Sequence, residues 1–259
     1  MLSFKNVNII SILILIILIY WRVEYALSIW WFVLLLAFWL TLTIIGSFHI
    51  RWNYFLKAKN YNYKVKENVV ALTFDDGPNP KFTPKVLDLL IEFNAKATFF
   101  CIGKNAEKYP DLVERIISEE HVIGNHSFSH TNNYGFLSTR KVKEDIQRGQ
   151  HIFKDLTNLD LKLFRPPFGV TNPNISKALK ELNLNAMGWS IRSLDTIAKN
   201  PDKVFKKITK DFKKGDVILL HDTNELSLIV LKQLLLFLKE NKVKTITLDK
   251  LFNINAYES

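Results

Sequence analysis

The chain has 259 residues, with 35 Lys and Arg against 25 Asp and Glu, a formal net charge of +10 and one cysteine. This length accommodates one domain of ordinary size plus an accessory segment, and a lone cysteine, Cys101, excludes an internal disulfide and any cysteine-based zinc site. The lysines are spread over expected helices and no nucleic-acid motif is present, so the charge implies no nucleic-acid partner, only affinity for anionic headgroups or acidic polymers.

Residues 7–21 are almost wholly apolar, and residues 26–50 form a second apolar run of 25 residues without a charge. About 20 apolar residues cross a bilayer as a helix. Residues 1–52 are therefore expected to be a membrane anchor, two transmembrane helices forming a hairpin with a tight turn around residues 22–25. A signal peptide is the competing reading of the first run, disfavoured because Trp21-Arg22-Val23-Glu24-Tyr25 follows it in place of a small-residue cleavage pattern. Lys5 at one end, and Arg51, Lys57, Lys59 and Lys64 at the other, would put the soluble part in the cytoplasm by the positive-inside rule. Residues 53–67, polar and lysine-rich, read as a linker, and residues 68–259 as the domain it carries.

In that domain apolar runs near 69–74, 97–101, 121–125, 161–165, 185–190, 216–221 and 243–248 read as strands. They alternate with amphipathic stretches near 84–94, 108–120, 139–156, 174–183, 201–214 and 225–241. Helix starts are marked by Thr83 before Pro84, by Ser138 or Thr139, and by Asn200 before Pro201. The alternation predicts βα units on a parallel sheet, an α/β fold, and about seven such strands favour a closed or nearly closed, distorted (β/α) barrel. Asp75-Asp76, His126, Arg165, Asp195 and His221 all fall at or just beyond the C-terminal ends of these strands, the rim on which such barrels build active sites. His49, His121 and His151 have no such company and are assigned no role.

Adjacent carboxylates closing a buried strand are electrostatically costly, and the pair suggests divided labour. Asp76 with His126 and His130 makes a two-histidine, one-aspartate set with coordination positions left open, suited to zinc or another divalent first-row metal. His-x-x-x-His alone is a weak signal; on a helical turn the two rings would share a face. A bound metal would acidify its water and polarise a carbonyl, with Asp75 as candidate general base. Arg165, in Arg165-Pro166-Pro167-Phe168-Gly169, is placed to orient Asp75 and keep it ionised, and the backbone N–H groups near Phe168 and Gly169 are candidate oxyanion donors. The same loop is also compatible with a rigid turn and a surface ion pair. His221, closing an apolar strand, suits a general acid for a leaving amine, with Asp195 as the carboxylate that holds its tautomer.

These residues, in this order, resemble the polysaccharide deacetylases of the NodB-homology type, carbohydrate esterase family 4, over roughly residue 68 to the C-terminus. Thr73-Phe74-Asp75-Asp76-Gly77 is similar to the first family motif, His126-Ser127-Phe128-Ser129-His130 to the second, Arg165 to Gly169 to the third, and Leu219-Leu220-His221-Asp222 to the last. The resemblance implies Asp75 as base, Asp76, His126 and His130 as metal ligands, and Arg165 as support of the base. It further implies His221 as acid, Leu219 lining the acetyl pocket, and Phe168 and Trp189 beside the substrate. The fourth motif departs: the family often shows an aspartate followed by tryptophan, whereas here Asp195 is followed by Thr196, too small to wall a sugar groove, and Arg192 adds a charge.

The resemblance thus implies a metal-dependent hydrolase that removes N-acetyl groups from an amino-sugar polymer, peptidoglycan or another envelope glycan, by attack of metal-bound water. Zinc is the expected metal, with cobalt or another first-row ion as an alternative. The catalytic domain is then expected outside the membrane, against the weak charge bias. Two other functions remain open. One is a deformylase or deacetylase of a lipid-linked sugar, or a hydrolase of another amide on the same fold. The other is a catalytically silent, membrane-tethered glycan-binding protein. Oligomeric state has no signature in the sequence.

Overall fold

The computed structural model of the protein describes residues 3–258. The chain opens with two antiparallel helices, α1 (Phe4–Tyr25) and α2 (Trp30–Phe48). Ser3 caps α1 by accepting from the Asn6 amide, and Arg22 donates to the Leu27 carbonyl at 2.7 Å across the connection, where Ala26 takes φ +50°. Trp39 donates its indole N–H to Asn8 Oδ1 at 2.8 Å between the helices. Their other faces are lined with exposed Ile, Leu, Phe and Trp. With 22 and 19 residues they are long and apolar enough to cross a membrane, by length and composition. At 1.5 Å per residue that is about 33 and 28 Å, against a hydrocarbon core of about 30 Å.

The hairpin is docked on the rest of the chain. Gly46 leaves no room for a Cβ against the Tyr54 ring, the Thr171 amide donates to the Ser47 carbonyl at 2.9 Å, and the Phe4 amide donates to the Tyr54 carbonyl at 2.9 Å. The polar stretch 53–67 is also held down. Lys59 bridges to Met187 and Tyr61 to Asp216, Asn62 donates its amide to Gly215 at 2.8 Å, and Ala58 and Asn60 are buried.

The remaining elements alternate, in the order β1 (Val69–Asp75), α3 (Thr83–Glu92), β2 (Ala97–Cys101), α4 (Gly103–Lys108), α5 (Pro110–Ser118), β3 (Val122–Asn125), α6 (Thr139–Thr157), β4 (Asp160–Leu161), β5 (Leu163–Phe164) and α7 (Pro173–Glu181). They continue through β6 (Asn185–Ala186), β7 (Ile191–Arg192), α8 (Pro201–Thr209), β8 (Val217–His221), α9 (Glu225–Glu240), β9 (Lys244–Thr245), α10 (Leu248–Phe252) and β10 (Tyr257–Glu258). Seven parallel strands run in the order β6-β5-β3-β2-β1-β8-β7, with β9 added beside β1, while β4 and β10 form a separate antiparallel pair. This is the curled (β/α) barrel expected from the alternation.

All seven residues of β1 are buried, and period-two alternation sends them to different layers. Leu72 and Phe74 join Leu87, Leu90, Phe99 and Leu231 under the helices. Val69 and Ala71 face the barrel interior with Phe100, Leu163, Val217, Leu219 and Trp189. Thr73 and Asp75 share that inner parity, as His221 does with Val217 and Leu219. In register, Asp75 pairs with His221 across β1 and β8, so two ionisable side chains arrive together at the rim.

Local boundaries differ from the sequence reading where tertiary pairing overrides periodicity. The run 185–190 is not one strand: β6 and β7 lie on opposite edges of the sheet. Between them the Met187 amide donates to Phe164 and the Ser190 amide to Val217, so the chain steps across the barrel's open seam. The stretch 108–120 is α5, and a further short helix, α4, precedes it, the two broken at Tyr109 before Pro110, since the residue ahead of a proline disfavours helical geometry. The run 243–248 pairs only at Lys244–Thr245 before α10 begins.

Candidate active site

Arg165, the first residue beyond β5, is fully buried. Its guanidinium donates to Asp75 Oδ1 at 2.6 Å, to Thr73 Oγ1 at 2.8 Å and to the Gly188 carbonyl at 2.8 Å. The plane sits over Phe100, 4.1 Å from its centroid. Thr73 passes the chain on by donating to the Ile218 carbonyl at 2.8 Å. Burial pulls the Arg165 pKa down, and the Asp75 carboxylate pushes back. A charge so enclosed is stable only with its partner and hydrogen bonds in place. The other Asp75 oxygen, Oδ2, faces His126 Nε2 at 3.8 Å.

Asp76 turns away from its neighbour because its backbone is left-handed, with φ +75°. That conformation costs energy in a residue with a Cβ, and Asn105 holds it by donating to the Asp76 carbonyl at 2.9 Å. His126 immediately follows β3, and its Nδ1 pairs with the Arg165 carbonyl at 2.7 Å. A ring nitrogen engaged by a carbonyl carries the proton there and leaves Nε2 as the donor toward a metal. The segment to His130 is not helical, contrary to expectation: Ser127 and His130 have φ +68° and +47°. The loop is instead pinned by the Asp145 carboxylate, which accepts from the Phe128 and Ser129 amides at 3.0 and 3.1 Å, and by Ser127 Oγ, which accepts from the His130 amide at 3.0 Å.

Asp76 Oδ1 is 3.5 Å from His126 Nε2 and 3.3 Å from His130 Nε2, and the three ligand atoms lie within 4.8 Å of one another. Two ligands each about 2.1 Å from a tetrahedral cation stand about 3.4 Å apart, so the donor set fits a small divalent ion. Burial would raise the Asp76 pKa, but His126, His130 and His221 hold it well below the usual carboxylate range. Burial, with the neighbouring His126, pushes His130 down to about 4 against the pull of Asp76 and Asp75, leaving a neutral ligand at physiological pH. For His126 burial resists protonation, yet Asp75 and Asp76 prevail and its pKa is raised. A proton and a cation therefore compete for that ring.

His221 closes β8. Its Nδ1 meets Asp195 Oδ1 at 2.7 Å, while its backbone amide donates to Asp195 Oδ2 at 2.8 Å. Ser193 and Ser227 donate to the same carboxylate at 2.7 and 2.6 Å. Burial raises the Asp195 pKa less than His221 and the two hydroxyls lower it. Burial likewise opposes charge on His221, but Asp195, with Asp75 and Asp76 behind it, lifts its pKa to about 8. His221 Nε2 is 3.9 Å from Asp76 Oδ2 and so faces the same space as the candidate ligands.

The remaining expected residues surround this centre unequally. Phe168, with φ +59° and 44% exposed, lays its ring 4.6 Å from that of His130. Gly169, at φ +69°, approaches the Trp189 ring too closely for any Cβ. The Gly169 amide donates to the Pro166 carbonyl at 3.0 Å, which removes it as an oxyanion donor and leaves the Phe168 amide as the candidate. Leu219 and Trp189 are buried in the barrel interior. Arg192 is exposed, its guanidinium 5.8 Å from the Trp189 ring, and Thr196 is exposed.

Sequence reasoning missed Thr73, Asn105, Asp145, Ser193 and Ser227, which position the others. Asp145 had a readable signal, a carboxylate on the buried stripe of Val142, Ile146 and Gly149 in α6. Asp222, beside His221, is fully buried; Thr83 donates to its Oδ2, its Oδ1 has no partner among the described residues, and burial pushes its pKa up to about 7.

Three comparisons bear on this arrangement. The sequence profile of the polysaccharide deacetylase family matches residues 62–187. A peptidoglycan-N-acetylglucosamine deacetylase of Bacillus cereus is 39% identical over 192 residues, covering 71% of this chain and 68% of that protein. The peptidoglycan-N-acetylglucosamine deacetylase PgdA of Listeria monocytogenes is 35% identical over 190 residues, 73% of this chain but 40% of that longer protein. Among solved structures, the Bc1960 peptidoglycan N-acetylglucosamine deacetylase, crystallised with a naphthalenyl N-hydroxybenzamide, superposes with a TM-score of 0.73 at 35% identity, over 78% of this chain and 94% of that one.

Proposed function

The chain belongs to the polysaccharide deacetylase family, carbohydrate esterase family 4, and from that membership we propose that it removes N-acetyl groups from an amino-sugar glycan of the cell envelope, peptidoglycan being favoured. The relatives named for that activity support the substrate class. The observation that carries the reading is the convergence of two oppositely built ion pairs, Asp75–Arg165 and His221–Asp195, on either side of the Asp76, His126 and His130 donor set.

Asp76, His126 and His130 would hold the divalent ion, zinc being favoured by the nitrogen and oxygen donors. Bound there, it would supply Lewis acidity, acidifying a water and polarising the acetamide carbonyl. Asp75, oriented by Arg165, takes a proton from the attacking water as its oxygen bonds to the carbonyl carbon. The Phe168 amide donates to the oxyanion that develops. His221 delivers its proton to the departing nitrogen as the carbon–nitrogen bond breaks, yielding acetate and a free amine. Asp195 accepts from His221 Nδ1–H and stabilises the imidazolium, so the proton delivered is the one on Nε2, and Leu219 and Trp189 supply apolar surface for the acetyl methyl.

In this reading residues 1–52 are a membrane anchor, 53–67 the linker and 68–259 the catalytic domain, which acts on the outer side of the membrane, where such glycans lie. The test is acetate release from N-acetylated peptidoglycan fragments and chitooligosaccharides by the full chain. Asp75→Asn and His221→Ala variants that unfold at the parent temperature should lose it. Full activity in either variant would sink the assignment.

A further inference from the structure

The last turn of α2 runs alongside the catalytic loops. Ile44 and Phe48 form one wall of a groove whose opposite wall is Phe136, Phe168 and Val170, enclosing about 440 Å³, within the roughly 300–1,000 Å³ of small-ligand sites. Phe136 is 92% exposed and Phe48 63% exposed, a cost that soluble surfaces rarely carry in one patch. Of the three polar side chains lining the groove, two are turned to the backbone, Ser47 donating to the Thr43 carbonyl at 3.1 Å and Asn172 donating to Gly135 at 2.7 Å while accepting from the Ile175 amide at 2.8 Å, and the third, Asn132, is exposed at its mouth. At its inner end the Phe168 ring touches that of His130, 4.6 Å between centroids. One continuous apolar path thus joins a helix of membrane-spanning composition to a candidate metal ligand.

The docking of Thr171 on Gly46 and Ser47 fixes the height of this path. His49, Arg51 and Trp52 follow α2 directly, a basic and aromatic set typical of the bilayer interface. With α2 read as a span and the linker 53–67 packed on the domain, the rim opens at the membrane surface. On the other side of the rim, Thr196 is exposed and small and raises no wall for a long glycan strand.

Building on the deacetylase reading above, we infer that the substrate is an N-acetylated amino sugar still carried on a membrane lipid, the first part of its apolar chain lying between α2 and Phe136 and the sugar reaching the rim past Phe168. The groove supplies apolar contact along the chain, and the membrane supplies the substrate at high local concentration. A carrier lipid fits better than a soluble polymer because the apolar path begins inside the span and ends at the site.

The experiment uses the full chain in lipid nanodiscs with two probes: an N-acetylglucosaminyl disaccharide joined through diphosphate to an isoprenoid chain, and the same disaccharide with a methyl aglycone. The lipid-carried probe should have the higher kcat/KM. Phe136→Asp should lower that value roughly tenfold or more, the scale of one lost aromatic contact, and leave the methyl glycoside unchanged. Val170→Trp, which fills the groove without adding charge, should do the same. Equal kcat/KM on the two probes overturns the inference, as does an equal loss on both in Phe136→Asp, which would make Phe136 a sugar contact. A lipid advantage that survives both variants also overturns it, placing the chain elsewhere. Turnover of neither probe instead strikes the deacetylase reading itself.

Discussion

Two ion pairs end neighbouring strands, and they are built with opposite signs. At the end of β1 the buried partner is a cation: Arg165 is enclosed, and Asp75 presents a carboxylate to the rim. At the end of β8 the buried partner is an anion: Asp195 is saturated by His221, Ser193 and Ser227, and His221 presents an imidazole. The register sets the two rim groups side by side. At β8, against the effect of burial, the enclosed Asp195 lifts the His221 pKa, so an imidazole proton donor stands beside the Asp75 carboxylate that Arg165 holds at β1.

The contrast breaks most completely at Asp75→Asn, which keeps the shape and removes the proton acceptor. Acetate release should fall by roughly 10³-fold or more, at the upper end of general-base contributions. Arg165→Met strands the Asp75 charge in the interior, and removal of one member of a buried pair costs about 3–5 kcal/mol; thermal unfolding should show the loss even before activity is measured. His221→Gln should cost roughly 10²-fold in kcat, with a smaller change in unfolding temperature than Arg165→Met because its ring is partly open to the rim.

Finer tests concern pH and single hydrogen bonds. With His221 raised to about 8, kcat/KM should fall as pH rises through that value, because the donor loses its proton. The same shift stabilises the fold: the contribution is complete below the ordinary imidazole value of about 6.5 and is lost as pH rises through about 8. Asp195→Asn should move the alkaline limb toward about 6.5, and an unmoved limb would assign it to another group. Thr73→Val removes one acceptor of Arg165 and should cost about 1 kcal/mol in stability, with only a few-fold loss of rate.

What the sequence makes legible is whatever one residue and its near neighbours determine. Apolar runs that end in Asp75, Asn125 and His221 mark strands delivering polar groups to a rim, and residues 26–50 mark α2 by length and apolarity alone. What stays hidden depends on partners far along the chain. Thr73 reads as a strand residue until Arg165, 92 positions later, is seen to donate to it. Ser227 reads as part of a helix start and proves to be the second hydroxyl on Asp195. The run 185–190 looks like one strand because Ala186, Met187 and Trp189 are apolar for a different reason, namely that they close and fill the barrel seam. The two histidines at i and i+4 suggest a helical turn, whereas left-handed Ser127 and the Asp145 carboxylate of α6 shape the loop that carries them. The groove beside α2 had no local signature, since Phe136 and Phe168 become neighbours of Phe48 only through the docking of the hairpin.

A metal-dependent deacetylase centre at this constellation stands or falls on acetate release by the detergent-solubilised full chain, measured before chelation, after chelation, and after zinc is restored. Release should stop when the chelator strips the ion and return with about one zinc per chain, and Asp76→Ala should neither retain the ion nor recover. Release that continues unchanged in a chain shown by elemental analysis to be free of metal would contradict that assignment.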